Sequence, residues 1–214
     1  METYVVRVWV PDRPGALGQV ASRIGSVGGD VVGIDILERG AGKAIDELVV
    51  TLPNADLVNL LVAEIGQVDD AAVEEIHHVD GHLPEPGIAV LELVARVVEQ
   101  SPPARRSRLC EELQTLLAAD WVTLVDVASR ECVLNVGDGG PEPAWLLAFV
   151  EGSRHLPPEA QRASAPTDLT WAALPAHGLV IAAGRHKPAL RSREHRQVTL
   201  LGRILDALDI GSPS

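Results

Sequence analysis

Apolar and polar residues alternate along the first 80 positions in two rhythms. Tyr4, Val6, Val8 and Val10 fall at every second position, with Val5, Arg7 and Trp9 between them. That is the period of a strand with two distinct faces. Asp12-Arg13-Pro14-Gly15 supplies turn chemistry. Leu17, Val20, Ala21, Ile24 and Val27 then recur at helical spacing, and Gly28-Gly29 ends the helix. Val32, Ile34 and Ile36 alternate again, Gly40-Ala41-Gly42 turns the chain, and Leu48, Val50 and Leu52 form the partner strand. Pro53-Asn54-Ala55-Asp56 opens a second helix carrying Leu57, Leu60, Leu61 and Ile65, and a last strand is expected near Val73–Val79. The order is βαββαβ, the split unit of ferredoxin-like folds.

The rhythm changes after His82-Leu83-Pro84-Glu85-Pro86-Gly87, where two prolines and a glycine interrupt any regular element. The reading is residues 1–82 as a first domain, 83–86 as a linker and 87–210 as a second domain. Helices are expected near Ile88–Glu99 and through Leu109, Leu113, Leu116 and Leu117. Strands are expected near Trp121–Val127, Cys132–Val136, Trp145–Glu151, Leu169–Leu174 and Leu179–Ala183, and a closing helix carries Val198, Leu201, Leu205 and Leu208. Segment 152–168, with Pro157-Pro158 and Pro166, reads as loop. Helices, then an antiparallel sheet, then a helix give an α+β class.

Charge adds a second distinction between the halves. The chain of 214 residues has a formal net charge of −12 at pH 7; residues 1–80 hold 14 acids against 5 bases. An acidic chain is a poor partner for nucleic acid or anionic lipid, so neither is expected. No run approaches the ~20 apolar residues of a membrane span, and the first residues lack the basic and apolar regions of a secretory signal. Two cysteines, Cys110 and Cys132, are too few for a disulfide framework, and a cytoplasmic location is expected.

The chemistry concentrates at the first turn, Val10 to Leu17. A strand ends, a Pro/Gly turn follows and a helix begins, so amides without intrahelical partners favour an anion there. Asp12 can cap the helix or hold an ammonium group. The βαββαβ order, the Asp12-Arg13-Pro14-Gly15 turn, Leu17 and the Gly28-Gly29-Asp30-Val31 junction resemble the ACT domain over residues 3–80. The resemblance implies an amino-acid site at a dimer interface. It would be made of Val10, Asp12, Arg13, Gly15, Ala16 and Leu17, with Gly29, Asp30, Val31 and Val32 of a neighbouring copy facing them. If the Tyr4 face packs on the helices, Trp9 lies on an open face of the sheet, and the domain is expected to dimerise through that sheet or its edge. Gly15→Val is then expected to abolish binding while the fold survives.

The second domain resembles the GAF domain in its two leading helices, the hairpin around Pro175, and the closing helix with Glu194. Segment 152–168 is short for the cap that encloses a ligand in that family. Weaker signals read as structure. His77 and His78 on one strand point to opposite faces, so no metal is expected. Cys110 and Cys132 read as packed thiols. Gly137-Asp138-Gly139-Gly140 lacks the Lys-Ser/Thr ending of a phosphate loop and reads as a hairpin turn. Ser192 and Glu194 read as helix-capping residues. Arg185, Lys187, Arg191, Arg193, Arg196 and Arg203 read as a solvated basic face, able to meet an acidic protein partner. No nucleophile elbow or zinc-protease motif occurs, and no cofactor is called for. The expectation is a non-enzymatic, homodimeric sensor of a small metabolite, most simply an amino acid. The alternative is a ligand-free interaction module acting on a separate enzyme or regulator.

Overall fold

The alternation from Tyr4 to Val10 lies within the longest ladder among the described residues. Strand β1 (Glu2–Pro11) pairs antiparallel with β3 (Lys43–Leu52) from Glu2 opposite Leu52 to Pro11 opposite Lys43. The computed structural model describes residues 1–79, 86–155 and 168–210. Residues 83–85 of the linker expected at 83–86, His82, and most of the expected loop 152–168 lie outside the described residues, while Pro86, expected in the linker, opens the first helix of the second unit. The chain forms two compact units, Met1–Leu83 and Pro84–Ser214.

In the first unit, helix α1 (Ala16–Ser26), strand β2 (Asp30–Gly40), helix α2 (Val58–Ile65) and strand β4 (Ala72–Val79) complete the set. The antiparallel sheet runs β2-β3-β1-β4, the ferredoxin-like order. Val6, Val8 and Val10 pack with Leu48 and Val50 against Val20 and Ile24 of α1 and Leu61 and Ile65 of α2. The other face is not bare, as an open-faced sheet would be: Val5, Arg7 and Ile45 are buried there too, and Trp9 is half-buried. Arg7 donates to Glu47 at 2.8 Å, which compensates its charge. The exposed large apolar residues of the described sheet lie instead on edge strand β2: Val32, Ile34 and Ile36.

The second unit contains α3 (Pro86–Val98), α4 (Arg105–Leu117), β5 (Trp121–Asp126), β6 (Cys132–Gly137), α5 (Pro143–Arg154), β7 (Leu169–Leu174), β8 (Leu179–Gly184) and α6 (Ser192–Asp206). Its antiparallel sheet runs β6-β5-β8-β7. Leu93 and Val97 of α3, Leu109 and Leu113 of α4, and Val198 and Leu201 of α6 pack on one face with Val122, Leu124 and Ile181. Leu146 and Val150 of α5 pack on the other face with Trp121, Val125, Val180 and Ala182. Strand β8 is therefore buried on both sides, which is why its sequence is continuously apolar. No helix among the described residues is long and apolar enough to cross a membrane.

Residues 145–151, expected as a strand, lie within helix α5. Leu146 and Val150 are the buried pair one turn apart, and Trp145 stacks on Phe149 at the same spacing. Pro143 stands at the helix start, where its missing N–H costs nothing. The glycine run 137–140 consequently joins a strand to a helix rather than two strands. The basic stretch is also not a uniform solvated face, because Arg185 and Arg191 are buried. Arg185 donates to Glu194 Oε1 at 2.6 Å and to the Leu117 and Pro188 carbonyls. Glu194 Oε2 accepts from the Arg191 N–H at 2.8 Å, so the residue caps α6 and neutralises Arg185 together.

Candidate functional site

The turn leaving β1 is built from backbone. Asp12 N–H donates to the Gly42 carbonyl at 3.0 Å, tying the turn to the β2–β3 hairpin, and Arg13 N–H donates to Pro11 at 2.8 Å. Gly15 is the N-cap of α1 with φ of 85°, a left-handed conformation that favours glycine. No side chain caps the helix, so Asp12 does not serve that role. The first-turn amides of Leu17 and Gly18 have no acceptor one turn earlier within the helix. Ala16 is buried and Leu17 half-buried against the core, while Asp12, Arg13 and Gly15 are exposed. The Arg13 guanidinium donates to Gln19 Oε1 at 3.2 Å, lying over the first turn of α1. The conformation of Gly15 overturns one expectation: Gly15→Val forces a β-branched residue into the left-handed region, so the fold is strained along with any site.

A residue the sequence reading passed over belongs beside this turn. Asp46 on β3 is 3% exposed, and its Oδ1 is buried with no hydrogen-bond partner. It pairs with Val8 on one side and Ile36 on the other, so it shares the helix-covered face with Leu48 and Ala44. Burial pushes its carboxyl above the ordinary value of 3.8; Arg39 opposes the rise and Asp12 adds to it. The signal was present in the strand Lys43–Leu52. Every second residue from Ala44 to Leu52 is apolar except Asp46, a carboxylate at a core parity position.

The second predicted group stands elsewhere. Gly29 closes α1 with its N–H on the Ile24 carbonyl at 3.1 Å, and a side chain there would meet Ile24 and Leu52 at 3.0 Å. Asp30 opens β2 level with Thr51 and, across β3, with Thr3. Val10 is level with Ala44, which pairs with Arg39 at the far end of β2. Seven residues of β1 separate the two levels, roughly 24 Å of extended chain. Val31 packs into the core, and Val32 is exposed at an irregularity in the ladder. Within one chain, Val10–Leu17 come together and Gly29–Val32 do not join them.

The remaining candidates sort by burial. Cys110 is fully buried, and burial pushes its thiol up to about 12. Cys132, expected to be packed, is exposed. It sits on edge strand β6, where alternate residues face outward and its thiol donates to the Leu134 carbonyl at 3.2 Å. His78 meets Tyr4 edge-on at 5.3 Å and lies 3.7 Å from Glu2. Among the described residues, no three His, Cys, Asp or Glu side chains gather to hold a metal.

No family model matches the chain, and no curated protein matches it. Among solved structures it is similar to an ACT domain protein from Streptococcus pneumoniae, at 18% identity over 36% of this chain and 89% of that one, with a TM-score of 0.30. It is similar to the ACT domain of GTP pyrophosphokinase from Chlorobium tepidum, at 16% identity over 37% of this chain and 100% of that one, with a TM-score of 0.29. A formyltetrahydrofolate deformylase from Pseudomonas putida aligns over 98% of this chain and 94% of its own, at 12% identity and a TM-score of 0.35. Solved ACT domains thus number among the neighbours over little more than a third of the chain, at a distance too great to carry an argument.

Proposed function

We propose that the first unit is a non-catalytic regulatory module that binds an amino acid between two copies of itself. The observation that carries this reading is the pairing of opposite chemistries at one turn. The uncapped N-terminus of α1 offers amides to a carboxylate. Asp46, buried and with an unpartnered oxygen on the same side of the sheet, offers a carboxylate to an ammonium group. A small zwitterion satisfies both. Burying an unpaired polar group lowers stability, so a ligand that supplies the missing partner is stabilising in proportion.

Edge strand β2 supports a second copy as the other wall. Ile34 and Ile36 share the face of Leu48 and Asp46 yet are exposed, and among the described residues no strand lies beside the outer edge of β2. Exposed apolar edges invite pairing. In a two-fold antiparallel β2–β2 pairing, the start of a second copy's β2 comes level with the end of this one. Asp30 to Val32 of that copy then stand level with Arg39, Ala44 and Val10. That arrangement brings to one level the two residue groups that one chain holds about 24 Å apart along the strands. The second unit, read as GAF-like from the order of its elements, relays or receives the signal, and a shared ligand favours the arrangement it binds best.

A ligand-free dimerisation module accounts for the exposed β2 residues equally well, but not for Asp46. Two measurements separate the readings. Light scattering at micromolar concentration is expected to find a dimer that Ile36→Arg splits into monomers; a wild-type monomer contradicts both readings. Asp46→Asn tests the site. The native carboxyl binds its proton more tightly than the unfolded chain does, so Asp46 costs stability as pH rises from 3.8 through its raised native value. Without ligand, urea denaturation should find Asp46→Asn more stable than wild type at pH 7, with the gap closing towards pH 3.8. The same variant should lose the thermal shift that amino acids give the wild type. A variant that keeps the shift removes Asp46 from the site.

A further inference from the structure

The second unit holds a cavity of about 500 Å³ between the start of α5 and the adjoining ends of β5, β7 and β8. That is the size of a small-molecule site. We propose that it binds a flat organic cation of the amidinium or guanidinium class.

The aromatic part comes first. Trp121 forms the buried floor. It is fixed there because Gly184 and Gly140 leave room for its ring: a side chain at Gly184 would come within 2.4 Å of it. Trp145 and Phe149 line the cavity from α5, stacked one turn apart with centroids at 5.4 Å and rings 4° from parallel. Trp145 is 53% exposed. A large aromatic surface left open at a cavity is a shelf for a flat ligand, and its π-face favours a cation over a neutral or anionic one.

The charges lining the cavity agree. Three aspartates, Asp120, Asp138 and Asp168, line it. Arg185 also lines it, but its guanidinium is turned into the protein onto Glu194 and the Leu117 and Pro188 carbonyls. His186 lines the cavity too, its backbone N–H donating to Asp120 Oδ2 at 2.7 Å. The charge presented is therefore negative, beside an aromatic wall. An amidinium or guanidinium is planar, so it stacks on the indole while its N–H groups fork onto a carboxylate. A primary ammonium is attracted to both but neither stacks as a plane nor forks, and an aromatic acid stacks but is repelled by the carboxylates.

Benzamidine is the probe, with benzamide and benzoate as its neutral and anionic counterparts, titrated calorimetrically into the full chain. Benzamidine has no carboxylate for the α1 amides, and to separate it from Asp46 the same titration is run on Asp46→Asn, whose benzamidine binding is expected to match wild type. Saturable binding of benzamidine is expected, with benzamide and benzoate at least tenfold weaker. Trp145→Leu and Asp138→Asn change exposed side chains, and each is expected to weaken benzamidine by about tenfold. The proposal is overturned if wild type shows no saturable binding, if benzamide or benzoate binds as well as benzamidine, or if both variants bind like wild type.

Discussion

Glu194→Ala is expected to destabilise the second unit by roughly 3–5 kcal/mol, the cost of breaking a buried ion pair from one side. The side chain of Arg185 is 4% exposed and that of Glu194 is 11% exposed, and their contact is 2.6 Å. Removing the carboxylate leaves a guanidinium in the interior whose remaining partners are backbone carbonyls, which carry no full charge. The same substitution takes the acceptor from the Arg191 N–H at the start of α6. Loss of such a cap contributes about 1 kcal/mol of that total. Glu194→Gln separates the two effects: the amide oxygen still accepts from Arg191, but the charge compensation is gone. Urea denaturation followed by tryptophan fluorescence should rank wild type above Glu194→Gln and Glu194→Ala lowest. Equal midpoints for wild type and alanine would show that the pair is not holding the closing helix.

The second large effect is expected at Gly184, for a steric reason. Its added Cβ would lie 2.4 Å from Trp121 Cζ2 and 2.7 Å from the Asp168 carbonyl oxygen. The indole is buried, and the carbonyl accepts from Arg185 N–H at 3.1 Å, so neither neighbour yields freely. Overpacking of this kind costs typically 1–3 kcal/mol, so Gly184→Ala should lower the unfolding midpoint measurably. Trp121 must move to relieve the contact, so the cavity floor changes with it. A variant with wild-type stability and an unaltered near-ultraviolet tryptophan signal would contradict this packing.

The first unit was legible because its two periods are clean. Val6, Val8 and Val10 on one face of β1, and Val20 and Ile24 on one face of α1, each point to the same core. Local preference and burial agree there. The run 145–151 was misread for the opposite reason. Trp145-Leu146-Leu147-Ala148-Phe149-Val150 is apolar at every position, so it carries neither period, and only Pro143 ahead of it marked a helix start. The arginines escaped because burial of a charge depends on a partner, and Glu194 is set beside Arg185 by the turn between β8 and α6. Asp46 could have been found: a carboxylate breaking a core alternation is the kind of local conflict that marks a site. The division of the site into two groups could not be found from sequence, since it depends on which ends of β1 and β2 the sheet register makes level.

The site carries a cost in stability. Arg7 on the opposite face is buried with Glu47 beside it, whereas one Asp46 oxygen is buried with nothing to accept from. Stability given up at one position is the usual mark of a group kept for binding. Calorimetric titration of the wild-type protein with each of the twenty amino acids asks the question directly. The account predicts saturable binding of at least one of them, abolished by Asp46→Asn and accompanied by a dimer in light scattering. Silence across the whole panel would contradict it.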